Sequence, residues 1–186
     1  MRDPPDNHRL AAAHNCVTMQ EVKSFFLRQV TSTSCKDVKG DGNAMKKVLV
    51  IDDNPTIVEL IKYAVNLQGT YDVVVAYDGV QGLERILIEH PDCVIIDVKM
   101  PRMDGYQLVR CLRGDARTSD IPLIILSAMT RNEDQMTGML SGVDEYLTKP
   151  FKPAALNAAI ERVLRLTPTE RQRRMDYLVQ TQTDRE

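Results

Sequence analysis

The sequence predicts an α/β fold in which five strands alternate with five helices in a doubly wound, three-layer sandwich. Three observations carry that prediction. Short, near-continuous apolar runs recur between positions 47 and 147. Amphipathic stretches with helical spacing separate them. Carboxylates, a hydroxyl and an ammonium stand where the runs end. Strands apolar on both faces belong to a parallel sheet covered on both sides. Strand–helix alternation then gives an open sheet between two helical layers.

The elements follow in order. Lys47-Val48-Leu49-Val50-Ile51-Asp52 reads as a buried strand. Thr56 to Leu67 reads as a helix, with Ile57, Leu60, Ile61, Ala64 and Val65 at core spacing. Tyr71 to Ala76 is a strand and Gly79 to Glu89 a helix. Cys93 to Ile96 is a strand ending at Asp97, and Gly105 to Arg113 a helix whose N-cap and turn residue is Asp104. Pro122 to Leu126 is a strand ending at Ser127, and Asn132 to Ser141 a helix. Glu145 to Leu147 is a short strand, and Pro153 to Leu166 the last helix.

The flanks read differently. Residues 1–44 form an extension with loop-like Thr31-Ser32-Thr33-Ser34 and Gly40-Asp41-Gly42-Asn43. Val22, Phe25, Phe26 and Val30 suggest a short helix from Met19 to Val30. Met45 is a credible alternative start. Residues 167–186 form a polar tail, with Thr167-Pro168 placed to open another short helix. Arg171, Arg173 and Arg174, flanked by Glu170 and Asp176, read as a solvated helix face rather than a nucleic-acid patch.

Composition narrows the function classes. The hydrophobic fraction is 43%, the charged fraction 27% and the formal net charge -2. Those values suit a soluble globular protein and predict no direct nucleic-acid binding. No run approaches the ~20 apolar residues that span a bilayer, and the N-terminus lacks a secretory pattern. Cys16, Cys35, Cys93 and Cys111 form no C-x-x-C pair, so a cytoplasmic protein without disulfides is expected. His8, His14 and His90 show no ligand spacing.

Ligands of open α/β sheets bind beyond the carboxyl ends of the strands. There the sequence places Asp52, Asp53, Asp97, Ser127 and Lys149. Three carboxylates together repel one another, and a divalent cation removes the conflict. Mg²⁺ takes oxygen ligands, usually one or two carboxylates with waters and a phosphate. A carboxylate can then act as nucleophile and form an aspartyl phosphate. The cation, Lys149 and Ser127 would neutralise and bind the phosphoryl oxygens. Each residue alone has a plainer reading. Asp52-Asp53 is also a helix N-terminal signal, Ser127 an ordinary strand-end hydroxyl, and Tyr146 a half-buried aromatic.

Four further segments carry a family resemblance. Val48-Leu49-Val50-Ile51-Asp52-Asp53-Asn54 resembles the opening of bacterial response-regulator receiver domains. Ile95 through Gly105, reading I-I-D-V-K-M-P-R-M-D-G, resembles their phosphorylation loop. Ile124-Ile125-Leu126-Ser127-Ala128 and Gly142 through Phe151 resemble their hydroxyl-bearing segment and final loop. The resemblance runs from Met45 to about Leu166. It implies a flavodoxin-like five-stranded sheet of order 2-1-3-4-5. It also implies Asp97 as phosphoacceptor, with Mg²⁺ held by Asp53, Asp97, the Lys99 carbonyl and, through water, Asp52. Lys149 would meet the phosphoryl group and precede a cis proline bond. Ser127 and Tyr146 would form a switch that reshapes the fourth helix, fifth strand and fifth helix. Lys99 and Met129 occupy positions that tune phosphoryl lifetime, and neither supplies an acid or amide.

The resemblance implies a histidine kinase or histidine phosphotransfer protein as donor and a downstream target protein as partner. Charge and the lack of a long apolar run argue for no membrane and no direct nucleic-acid contact, and a phosphorylation-dependent dimer is left open. The twenty or so residues after Leu166 are too few for an effector domain, so a stand-alone module that is not a turnover enzyme is expected. The alternative is an aspartyl-phosphate-forming phosphohydrolase of similar layering. Such enzymes place the nucleophile after the first strand, commonly as D-x-D, whereas Asp52-Asp53-Asn54 stands there.

Overall fold

Val48, Leu49, Val50 and Ile51 are all fully buried, which requires helices on both sides of their strand. That strand, β1, spans Lys46–Ile51. The structure is a computed structural model and describes residues 45–67, 69–128, 142–167, 169–171 and 173. After β1 come α1 (Pro55–Asn66), β2 (Tyr71–Ala76), α2 (Gly79–Glu89), β3 (Cys93–Asp97) and α3 (Gly105–Arg113). β4 (Leu123–Ser127), β5 (Glu145–Thr148) and α4 (Pro153–Arg165) follow. The five strands form one sheet of order β2-β1-β3-β4-β5, and every pair is parallel.

Alternate residues of a strand face opposite ways, and the core divides accordingly. Leu49, Ile51, Val94, Ile96, Leu123 and Ile125 pack in one cluster with residues of α2 and α3. Val48, Val50, Cys93, Ile95, Ile124 and Leu126 pack in the other with α1 and α4. The central strands β3 and β4 are buried at every position, while β2 and β5 at the sheet edges are partly exposed. Cys93 and Cys111 are free thiols, and burial holds that of Cys93 well above its usual range.

The predicted element boundaries shift by a residue in several places. β1 opens at Lys46, and Asp52 lies just beyond it. α1 opens at Pro55, because Asn54 caps it by accepting from the Thr56 and Ile57 amides at 3.0 and 3.4 Å. Proline suits that first turn, since its missing N–H has no helical partner to lose. Asp52-Asp53 is therefore not the cap. β4 begins at Leu123, β5 runs on to Thr148, and α4 closes at Arg165, where Leu166 turns extended. Leu60 is not a core residue: it is 51% exposed, while Val58 is buried. The inward arc of α1 centres on Val58, Ile61 and Val65, and Leu60 lies two residues from Val58, on the far side of the helix.

At the base of the sheet, Arg113 binds four acceptors. It donates to the carbonyls of Gly142, Ser119 and Ile121 at 2.6–2.8 Å and to Asp144 Oδ2 at 2.8 Å. Asp144 also accepts from the Leu123 amide at 2.8 Å. Positions 169–171 and 173 are helical. Thr167 and Glu170 form a reciprocal cap there: the Glu170 amide donates to Thr167 Oγ1 and the Thr167 amide to Glu170 Oε2. Arg171 does not lie on a solvated face. Its side chain is 15% exposed, donates to the carbonyls of Asp120 and Leu166, and lies 3.7 Å from Asp144 Oδ1. A buried carboxylate between two strand starts attracts a guanidinium that sequence charge counts leave in solvent. The predicted helices at Met19–Val30 and Asn132–Ser141 lie outside the described residues, as do Met129 and Arg174.

Candidate functional site

Four parallel strands deliver side chains to one edge. Asp52 follows β1 and is 2% exposed, Asp97 closes β3 at 7%, and Ser127 closes β4 at 1%. Lys149 follows β5, and its amide donates to the Ser127 carbonyl at 2.7 Å. The Lys149–Pro150 peptide is cis. Because the strands are parallel, their C-terminal ends all arrive on the same side, and residues up to 97 positions apart meet.

Lys149 is the centre of this meeting. Its Nζ lies 2.6 Å from Asp52 Oδ2 and 2.6 Å from Asp97 Oδ1. Each carboxylate spends its other oxygen on backbone: Asp52 Oδ1 accepts from the Asn54 amide at 2.9 Å, and Asp97 Oδ2 from the Lys99 amide at 2.7 Å. Burial pushes the Asp97 carboxyl above its ordinary value, and Asp52 adds to that. Lys149 and the Lys99 amide pull back without cancelling it. The two carboxylates hold the Lys149 ammonium above its usual range against the cost of burial.

The donors here are hard oxygens, the set that suits Mg²⁺. A cationic group already bridges the two buried carboxylates, so positive charge belongs at this point. Of the three expected carboxylates, Asp52 and Asp97 meet on Lys149. Among the described residues no three acidic, histidine or cysteine side chains are grouped to hold an ion by themselves. Asp53 is exposed at the rim.

The switch residues are split. Tyr146 on β5 is half-buried against the α2–α3 side of the core. Its hydroxyl is buried and, among the described residues, has no hydrogen-bond partner. Lys99 is exposed, with its amide committed to Asp97. Met129 is outside the described residues.

Three residues outside the predicted site hold the loop after β3. Gly105 approaches the end of β3 so closely that a Cβ there would lie 2.3 Å from the Asp97 carbonyl oxygen. Asp78 caps α2 by accepting from the Val80 and Gln81 amides, both at 2.9 Å. Arg102, in the loop after β3, donates to the other oxygen of Asp78. The Asp78-Gly79 pair after an apolar strand is a legible cap signal. Its link to Arg102, 24 residues on, is not.

Comparison with known proteins agrees with this geometry. The family model of the response regulator receiver domain matches residues 48–161. The DNA-binding dual master transcriptional regulator RpaA of Synechocystis is 38% identical over 123 residues, which are 66% of this chain and 51% of that protein. The alkaline phosphatase synthesis transcriptional regulatory protein PhoP of Bacillus subtilis is 38% identical over 120 residues, 64% of this chain and 49% of that one. The chain thus spans about half the length of the curated relatives it matches. Among solved structures, chemotaxis response regulator CheY4 of Vibrio cholerae matches at a TM-score of 0.60 and 31% identity, over 64% of this chain and 99% of that one. The receiver domain of the Francisella response regulator 1452 matches at 0.60 and 37%, over 64% of this chain and 97% of that one. A parallel sheet of order 2-1-3-4-5, an acidic site bridged by lysine at its C-terminal edge and this family match together place the chain in the response regulator receiver family.

Proposed function

We propose that the chain accepts a phosphoryl group on Asp97 from a phosphohistidine of a kinase or phosphotransfer protein, and that this modification changes the surface around β5. The observation that carries the proposal is the Lys149 ammonium at 2.6 Å from both Asp52 and Asp97. It pairs a buried carboxylate nucleophile with the positive charge that an incoming phosphoryl group needs. As the Asp97 O–P bond forms, the donor P–N bond breaks and the imidazole leaves with its electron pair. Lys149 then exchanges a carboxylate partner for phosphoryl oxygens.

Mg²⁺ fits as the cofactor. Asp97, Asp53 at the rim and the Lys99 carbonyl would hold it, with Asp52 acting through water. When bound, the ion supplies neutralisation of the phosphoryl charge. Ser127, at the end of β4, would donate to the new phosphoryl group, and Tyr146, with its buried hydroxyl, lies on the neighbouring strand. The chain modifies itself and turns over no substrate. The target we favour is a protein partner. The relatives named as transcriptional regulators are about twice as long, so a DNA-shift assay of the phosphorylated chain is the counter-test. No helix among the described residues is long and apolar enough to cross a membrane.

Incubation with Mg²⁺ and acetyl phosphate, read by intact mass, tests the reading. A single phosphate added to the native chain and absent in Asp97→Asn is expected. Continuous turnover of a phosphomonoester that Asp97→Asn abolishes would favour the hydrolase instead.

A further inference from the structure

Arg102 is a non-glycine residue at φ +68. The Met103 amide donates to the Pro101 carbonyl across it at 2.8 Å, closing a three-residue turn. A hydrogen-bonded turn of this kind with positive φ is rare and strained. Strain at a side chain with a Cβ persists only where the surroundings over-determine it. Here they do so from two directions. The Met103 side chain is buried, and it sits so close to α2 that a Cβ at Gly79 would lie 2.9 Å from it. The Arg102 guanidinium reaches the buried Asp78 carboxylate.

Asp78 divides its oxygens between two tasks. Oδ1 caps α2, and Oδ2 receives Arg102. The loop between β3 and α3 is thereby fixed at both margins. On the inner margin, the Lys99 amide binds Asp97 Oδ2, the Val98 amide donates to the Leu126 carbonyl at 3.1 Å, and the Gly105 amide donates to the Val98 carbonyl at 3.0 Å. On the outer margin the Arg102–Asp78 bond ties the loop to the first turn of α2. Between the margins lie Lys99, Met100 and Pro101.

We propose that Arg102 is a positioning residue: through Asp78 it fixes the Lys99–Pro101 backbone at the distance from Asp97 at which the Lys99 carbonyl and the Asp97 carboxylate can share a cation. The proposal rests on the phosphoacceptor reading above. Without the tether the strained turn relaxes, and the loop samples positions in which the carbonyl and carboxylate no longer converge. The cation must then reorder the loop on binding, which weakens its affinity. Once it is bound, the reacting groups are the same as before.

Four forms of the full chain test this. Arg102→Gly removes the tether and relieves the backbone strain, so it folds. Arg102→Lys keeps a cation at the end of a flexible side chain. Asp78→Asn keeps a helix-capping oxygen but loses the charge. The double variant combines Arg102→Gly with Asp78→Asn. Mg²⁺ affinity is followed by amide NMR, and exchange of the Lys99 amide is measured without metal. Arg102→Gly is expected to weaken Mg²⁺ roughly two- to fivefold, the range of an ion pair with one exposed partner, and to speed Lys99 amide exchange. Asp78→Asn should do the same, the double variant should be no worse than either, and Arg102→Lys should recover most of the loss. Phosphorylation at saturating Mg²⁺ should match the native rate. Unchanged Mg²⁺ affinity in Arg102→Gly, additive losses in the double variant, no recovery with lysine, or a rate defect that saturating Mg²⁺ does not repair overturns the proposal. Failure of the native chain to take phosphate would instead sink the phosphoacceptor reading and leave the exchange result standing.

Discussion

At Asp97 the carboxylate is held between opposing influences. Burial and Asp52 raise its pKa, and Lys149 and the Lys99 amide lower it, with burial prevailing. The folded, metal-free chain therefore holds this proton more tightly than the unfolded chain. The associated stability is fully present below the ordinary aspartate value and is lost as pH rises through the raised one. Asp97→Asn should flatten that slope. Near neutral pH without metal it should raise the melting temperature. Thermal melts of both forms from acid to neutral pH decide this; parallel curves would exclude it. Protons should also compete with Mg²⁺ at higher pH than they would at an ordinary aspartate. Lys99 and Met129 supply no carboxylate or amide to orient a hydrolytic water, so the phosphorylated form should decay slowly. Combining Lys99→Asn with Met129→Glu should shorten its lifetime severalfold, and an unchanged decay curve in the double variant counts against the idea.

Among the elements, α3 is the one fitted most closely to the site. Asp104 caps it reciprocally with Gln107, accepting from the Gln107 amide at 2.7 Å while the Gln107 side chain accepts from the Asp104 amide at 3.0 Å. Gly105 lets its first turn approach the end of β3. A Cβ at Gly105 meets the Asp97 backbone, which cannot move without dragging the Asp97 carboxylate. At Gly82 on α2 an added Cβ would lie 2.5 Å from Ile51 Cδ1, the end of a side chain rather than backbone. Gly105→Ala should therefore cost at least ~2 kcal/mol and disturb phosphorylation. Gly82→Ala should cost less and leave phosphorylation intact. Denaturant melts with acetyl phosphate labelling of both variants test the ranking.

Across the whole molecule, chemistry and anchorage lie at opposite ends of the sheet. The site of Asp52, Asp97, Ser127 and Lys149 sits where β1, β3, β4 and β5 end. The Arg113–Asp144–Arg171 group sits where β4 and β5 begin. Arg171 ties the helical stretch after Thr167 to that base. Arg171→Ala should release this stretch, speeding its amide exchange and lowering stability by about 1 kcal/mol. Mg²⁺ affinity and Asp97 labelling should stay unchanged. A loss of labelling in that variant would mean the two ends are coupled rather than separate.

The fold and the meeting of Asp52, Asp97, Ser127 and Lys149 at one sheet edge are legible in the sequence. Apolar runs such as Val48–Ile51 and Ile124–Leu126 are local signals of a doubly covered strand. Parallel topology then forces Asp52, Asp97, Ser127 and Lys149 to one edge. Leu60 was misread because helical spacing admits more than one inward arc, and only the neighbour α4 selects among them. Arg171 was misread because its partners, Asp120 and Asp144, are far from it in sequence. Periodicity, caps and strand-end chemistry depend on near neighbours, and so the sequence by itself determined the element order, the sheet class and which side chains stand at the strand ends. The salt bridge from Lys149 to two carboxylates, the exposure of Asp53 and the Arg102–Asp78 tether depend on distances between segments that only packing brings together. Tertiary structure decided those, because a charge's partner is set by proximity in space and not along the chain.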